Sequence, residues 1–207
     1  MNFDQGTTRD MIQAVAHTVI GHADELTELD RAIGDADHGV NLERGFKAVL
    51  AKIDDIAAHP IDQALSEVGK TLILSVGGAS GPLFGKLFAT IGQHLCAREE
   101  LDKAAVVTAC EQAIAVLKTL GRSDVGHKTM LDVLVPSLDQ LRTTEGPASL
   151  RMVREHAHEA ALATIPMMAR RGRASFLGER SQGHMDPGAR SSELIVGAVC
   201  DFLEARL

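Results

Sequence analysis

Residues 11–29 read MIQAVAHTVIGHADELTEL, and the apolar positions Met11, Ile12, Val15, Val19, Ile20, Ala23, Leu26 and Leu29 fall three or four apart, with few exceptions. That spacing returns to one face of a helix at every turn and to neither face of a strand. The Thr7–Asp10 pair ahead of it has capping-box spacing. The same period recurs at Phe46, Val49, Leu50 and Ile53, then at Ala64, Leu65, Val68, Leu72 and Ile73. It continues through Leu83, Leu87, Ala89 and Ile91, through Val106, Ala109, Ala113, Ile114, Leu117 and Leu120, and over 130–141, 150–168 and 194–203. Breaks are expected before Pro60, at Gly77–Gly78, near Arg98, at Gly121–Gly126 and around Gly146–Pro147. No convincing period-two segment interrupts the series. The reading is an all-α chain, one domain over 1–207, with about eight helices whose short connections make neighbours antiparallel in an up-and-down bundle.

Composition narrows the function. The chain has 207 residues, 45% hydrophobic, enough to fill a sizeable core and too many for a disordered chain. Its net charge of −7 is the wrong sign for neutralising a nucleic-acid backbone. All six aromatic residues are Phe, which leaves no ladder of stacking platforms for single strands. No stretch approaches the roughly 20 uninterrupted apolar residues of a membrane span. The opening MNFDQGTTRD is too acidic and polar for a secretory leader. Cys96, Cys110 and Cys200 are dispersed among apolar neighbours and suggest neither a disulfide framework nor a zinc knuckle. A cytoplasmic protein without nucleic-acid or membrane partners is expected.

Four segments could carry chemistry. In Leu29-Asp30-Arg31-Ala32-Ile33-Gly34-Asp35-Ala36-Asp37-His38-Gly39, three carboxylates crowd into eight residues, with glycines that allow sharp turns. Carboxylates so placed repel one another unless a cation sits among them, and Mg²⁺, a hard ion that takes oxygen ligands, suits them. The spacing is not that of an EF-hand loop. The alternative is a solvated acidic turn capping the helix that starts near Gly39. Ser75-Val76-Gly77-Gly78-Ala79-Ser80-Gly81-Pro82 lets an anion approach backbone amides at a helix N-terminus, though tight helix packing over small residues explains it equally. It is not a Walker loop, since Leu87 follows Lys86 where Ser or Thr is required. Gly126-His127-Lys128-Thr129-Met130-Leu131-Asp132 places a Lys and a Thr at a helix start, either to hold an anion or ribose or simply to begin the helix. Residues 170–190, RRGRASFLGERSQGHMDPGAR, are too glycine-rich for a regular helix. Arg170, Arg171, Arg173, Arg180 and Arg190 outnumber Glu179 and Asp186, so the segment is positive in an acidic chain. It reads as a lid over an anion or as a surface loop. Acidic cluster, glycine-rich loop and cationic segment together describe a Mg-dependent phosphate or nucleotide binder.

At these motifs the chain resembles the L-subunit family of dihydroxyacetone kinases. The resemblance runs in order from about residue 7 to the C-terminus, through Asp30 to Gly39, Gly77 to Leu83, Lys128 to Asp132, Gly172 to Ser181 and Asp186 to Ala189. It implies a barrel of eight antiparallel helices with a nucleotide site at one end. Asp30, Asp35 and Asp37 would hold two Mg²⁺ ions on ADP or ATP. His38 and Asn41 would approach the phosphates, and Ala79 and Ser80 would cradle them. Gly121, Thr129 and Met130 would border the nucleoside, with Arg173 and the Asp186-Pro187-Gly188 turn closing over it. In the separate-subunit form of the family, ADP stays bound as a coenzyme. A phosphohistidine protein of the sugar phosphotransferase system (the M-type subunit) recharges it, and the phosphate passes to dihydroxyacetone held covalently on a K subunit. No base-plus-nucleophile pair stands out here, which fits an acceptor activated on another chain. The family also includes kinases that exchange ATP and kinases for other small ketoses, and its subunits can bind a transcription regulator; a homodimer is compatible with it. His127 stands where the family often has Asp, and Arg190 where Thr is common. Both departures put local nucleotide contacts in question and leave the metal cluster untouched.

Overall fold

Asp4 opens the first helix. Its carboxylate accepts the Thr7 amide at 2.7 Å, so α1 (Gln5–Gly21) begins ahead of the Thr7–Asp10 pair read as its cap. The computed structural model describes residues 3–95, 101–146 and 148–206; the breaks expected near Arg98 and at Pro147 lie outside the described residues. The stripe from Met11 to Leu29 belongs to two helices. It breaks at Gly21–His22, a weak helix former followed by a side chain whose Nδ1 donates to the Thr18 carbonyl at 2.8 Å, and resumes as α2 (Ala23–Ile33). Then follow α3 (His38–Leu50), a short α4 (Ile53–Ala57), α5 (Ile61–Ser75), α6 (Ser80–Leu95), α7 (Lys103–Gly121), α8 (Leu131–Thr143), α9 (Ser149–Ala163) and α10 (Pro187–Glu204). No strand occurs among the described residues.

Ten α-helices occur among the described residues where about eight were expected, and the contacts explain the difference. Eight helices close a ring in the order α1, α3, α5, α6, α7, α8, α9, α10 and back to α1. The two extra ones are α2, the detached end of the first stripe, which packs on α3 and α10, and α4, a single turn between α3 and α5. The ring encloses one principal core, where Phe46 meets Phe88 edge-on with centroids 6.4 Å apart. Helices α5 and α6 touch backbone to backbone: a Cβ on Gly69 would sit 2.4 Å from the Gly85 carbonyl, so only glycine permits this approach.

Two further expectations are corrected and a third is qualified. The helix read over 150–168 stops at Ala163, because Pro166 cannot continue it. The segment 170–190 is not wholly irregular: Arg173–Ser181 forms a 3₁₀ helix broken at Gly178 (φ +56°), and α10 already begins at Pro187. Finally, α7 is long and apolar enough to cross a membrane by length and composition alone, because mean hydropathy tolerates the scattered Glu111 and Lys118 that interrupt any apolar run. In the fold its Ala105, Ala109, Ala113 and Leu117 face the core.

Candidate functional site

The connections α2–α3, α5–α6, α7–α8 and α9–α10 all open at one end of the ring, around a cavity of about 440 Å³. That volume lies within the roughly 300–1,000 Å³ usual for small-molecule sites. Successive helices from α5 to α10 therefore alternate in direction, as the short connections implied.

The acidic loop is built from the last turn of α2 outward. Asp30 is buried, and its Oδ2 accepts the amides of Asp37 at 2.9 Å and His38 at 3.2 Å, folding the loop back over the helix end. Gly34 makes this possible, since a Cβ there would lie 2.0 Å from Asp30 Oδ1. Ala36 adopts φ +60° and turns the chain again. The result brings carboxylate oxygens of Asp30, Asp35 and Asp37 within 4.8 Å of one another, with Asp35 and Asp37 exposed. An all-oxygen donor set with two exposed members fits Mg²⁺, which keeps positions open for phosphate. Arg173 already supplies a positive group here, its guanidinium 2.9 Å from Asp35.

His38, the first residue of α3, joins three elements. Its Nδ1 lies 3.0 Å from Ser80 Oγ at the start of α6, and its Nε2 lies 3.0 Å from Ser191 Oγ on α10. The Ser191 hydroxyl donates to the Pro187 carbonyl at 2.9 Å, so Nε2 is the donor toward Ser191 and Nδ1 accepts from Ser80. Burial pulls the imidazole pKa below 6.5, against the charges of Asp30 and Asp37, and favours this neutral form.

Opposite the acids, Gly78 (φ +65°) turns the α5–α6 loop, and Ala79 and Ser80 present the amino end of α6 to the cavity. Leu83, Phe84, Leu117, Met130 and Leu131 form an apolar wall beside Gly121, Ser123 and Thr129. Asp132 fixes this rim by accepting the amides of Gly126 at 2.5 Å and Thr129 at 2.7 Å. Arg171, Gly172, Arg173 and Ala174 cross the mouth, and Asp186, Pro187 and Gly188 complete it. Asp186 caps α10 through the Ala189 amide at 2.7 Å; burial and the charge of Asp132 push its carboxyl pKa up to about 7, against that amide and Lys128.

All the expected site residues except Asn41 line this cavity. Asn41 is buried behind the glycine loop, where its Oδ1 accepts from Arg44 at 2.7 Å and a Cβ on Gly77 would come within 2.9 Å. The two departures from the family pattern face elsewhere. Arg190 is paired with Glu25 at 2.6 Å and Glu193 at 2.7 Å, and the His127 ring accepts the Asp124 amide at 3.1 Å. The Lys128 ammonium, expected either to meet an anion or merely to begin a helix, is bound to main-chain carbonyls instead. Ser123, in the break at Gly121–Gly126, was not expected at the site; of the five arginines read as a lid, Arg171 and Arg173 line the cavity, and only the fold shows which loop residues face inward.

Comparison with known proteins follows the same outline. A family profile described as DAK2 domain matches residues 32–201. The chain is 46% identical over 171 residues (80% of this chain, 81% of the relative) to the PEP-dependent dihydroxyacetone kinase ADP-binding subunit DhaL of Escherichia coli. It is 33% identical over 200 residues (94% and 93%) to the corresponding subunit of the second such kinase of Listeria innocua. Among solved structures, the dihydroxyacetone kinase of C. freundii in its native form superposes with a TM-score of 0.77 at 24% identity, covering 97% of this chain and 35% of that one. The same kinase in complex with AMP-PNP and Mg²⁺ gives 0.73 at 24% identity, covering 97% and 34%. The chain thus spans about a third of that kinase's length, and at this identity the likeness concerns the fold.

Proposed function

The chain belongs to the DAK2-domain family, and from that premise we propose that it is the nucleotide-binding subunit of a phosphoenolpyruvate-dependent dihydroxyacetone kinase. The observation that carries the reading is the convergence of a carboxylate triad, the amino end of α6 and an arginine-bearing arm on one cavity beside an apolar wall. An adenine nucleotide presents the complementary groups: phosphates for the polar half, a flat base for the apolar half.

Asp30, Asp35 and Asp37 hold Mg²⁺, two ions in this reading. The metal held there would supply positive charge against the phosphates. The amides at Ala79 and Ser80 orient the phosphate chain at the positive end of α6. Neutral His38 fixes the Ser80 hydroxyl by accepting its hydrogen bond, and so sets the direction of that side chain. Asn41 supports the loop from behind Gly77. Gly121, Thr129 and Met130 border the nucleoside, while the Asp186-Pro187-Gly188 turn and Arg173 close the mouth against water. Arg173 exchanges its present partner Asp35 for phosphate oxygens as ligands enter. The acceptor, dihydroxyacetone, is activated on a partner K subunit, and a phosphohistidine protein recharges ADP in place. The cytoplasm is the compartment where these partners and phosphoenolpyruvate meet.

The test is direct. Protein purified without added nucleotide is desalted and acid-denatured, and the released nucleotide and metal are identified. Stoichiometric ADP with Mg²⁺ is expected. Empty protein that takes up Mg-ATP reversibly would favour an exchanging kinase of the same fold, and no affinity for any Mg-nucleotide would overturn the reading.

A further inference from the structure

Lys128 lines the cavity beside Thr129, yet it is 1% exposed. Its backbone adopts φ +60°, a conformation that costs a non-glycine residue of the order of 1 kcal/mol and must be imposed by the surroundings. What imposes it is the ammonium. Nζ donates to the carbonyls of Thr164 at 2.9 Å, Met167 at 3.1 Å and His184 at 2.5 Å, with Ile165 at 3.4 Å. An ammonium has three protons, and three near carbonyls take them, so none remains for an anion in the cavity.

The acceptors have a common origin. Thr164 is the C-cap of α9, so its carbonyl lies at the partially negative end of that helix, and Ile165 and Met167 follow in the turn that leaves it. His184 lies on the far side of the arm, two residues before the α10 cap. A neutral donor cannot bond both stems in this number, whereas one cation bonds both. Neighbouring ties run the same way: Arg170 N to the His127 carbonyl at 3.1 Å, Gly183 N to the Ile165 carbonyl at 2.8 Å, and Ala169 N to Ser181 Oγ at 2.9 Å. The arm that carries Arg171 and Arg173 is therefore tied at its base to the turn that presents Thr129 and Met130.

We propose that Lys128 is a positioning residue of this site: its ammonium clamps the two stems of the arm 168–185 and sets the arm over the cavity, an inference that for its ligand side rests on the nucleotide reading above. The clamp joins the arm to the nucleoside wall, while the arm's other side packs Ala169, Ala174 and Leu177 on Ile33 at the end of α2.

The experiment compares wild type, Lys128→Met and Lys128→Arg by hydrogen exchange and by ligand release. In the free protein, the amides of Ala169, Arg170 and Gly183 are expected to exchange about tenfold or more faster in Lys128→Met, as lost charge-assisted bonds imply. Amides of α5 and α6 should keep wild-type protection. Mg-ADP release should also quicken about tenfold, while Mg²⁺ binding without nucleotide stays unchanged. Lys128→Arg, which keeps the cation and its donors, should restore most of both. Arm amides as protected as in wild type, or protection lost equally in α5 and α6, would overturn the clamp. If Lys128→Met does not fold, ¹⁵N-lysine labelling of the wild type decides: a slowly exchanging ammonium close to the His184 and Thr164 backbone is expected, and its absence refutes the proposal. Wild type without any Mg-ADP affinity would sink the nucleotide reading alone, and the exchange data would still judge Lys128.

Discussion

The acidic loop and the arginine-bearing arm face each other across the same cavity but are held by different means. The acidic loop is short and locally determined: Asp30, four residues before Gly34, accepts amides seven and eight residues ahead, and Gly34 leaves the space for it. The arm is long, is tied at its base by contacts distant in sequence, packs Ala169, Ala174 and Leu177 against Ile33 of α2, and exposes Phe176 (88%). One wall of the site is thus set by contacts within a few residues of sequence, while the other is set by contacts made across the fold. In the proposed reading the loop takes the metal and the arm meets the nucleotide.

If that contrast holds, substitutions in the loop should abolish binding and substitutions in the arm should redistribute it. Asp30→Ala should have the largest effect on Mg-ADP affinity, about 100-fold or more, since it would remove a proposed ligand and the acceptor of the Asp37 and His38 amides. Isothermal titration with Mg²⁺ and ADP checks it; affinity within threefold of wild type would remove the triad from the site. Gly34→Ala comes next. Its Cβ would enter the space of Asp30 Oδ1, 2.0 Å away, so Asp30 must turn and metal affinity should fall by roughly 10- to 100-fold, with the helical circular-dichroism spectrum retained. A variant that binds Mg²⁺ normally would show the loop to be less preformed than its hydrogen bonds imply.

Arg173→Ala sharpens the comparison because its effects should have opposite signs. Arg173 now occupies Asp35, with its own side chain 70% exposed, so it competes weakly with a cation for the triad. Without nucleotide, Mg²⁺ should bind the variant as tightly as wild type or slightly more tightly. With ADP, affinity should drop about tenfold, the cost of one charge-assisted contact to phosphate. Equal losses for both ligands would mean that the arm supports the loop structurally and does not trade partners.

The same contrast governs what could be read from the sequence. The triad was legible because its members lie within eight residues and the glycine that admits them is among them. The helical ring was legible because each stripe keeps its phase over several turns. The break at Gly21–His22 was hidden for the same reason, since the stripe passes through it in phase and only the packing of α2 on α3 and α10 reveals two helices. Lys128 drew attention for its position in a motif, but its partners are carbonyls 36 to 56 residues away, and a carbonyl leaves no trace in residue type. Arg190 and His127 looked like disturbances of the site on sequence position alone. Side-chain direction removes that concern, since one turns to Glu25 and Glu193 and the other to Asp124.

The smallest expected effect on affinity concerns the hinge. Burial and the nearby Asp132 push Asp186 up to about 7, whereas the unfolded chain returns it to about 3.8. Between those values the folded protein holds a proton that the unfolded chain has released. Stability contributed by this group is therefore greatest at low pH and falls as pH rises from about 4 to about 7, levelling off above, with a slope of at most ~1.4 kcal/mol per pH unit. His38 works in the opposite direction, because its lowered pKa makes the unfolded chain the better proton acceptor below about 6.5. The difference between wild type and Asp186→Asn cancels the His38 contribution, since both carry it, and Asn still caps α10. Denaturant midpoints taken from pH 4.5 to 8 should therefore diverge in favour of the variant as pH rises, while Mg-ADP affinity at pH 8 changes by less than about threefold. Curves that stay parallel across the range would mean that Asp186 is ionised throughout, held so by Lys128, and that the hinge is an ion pair at every pH tested.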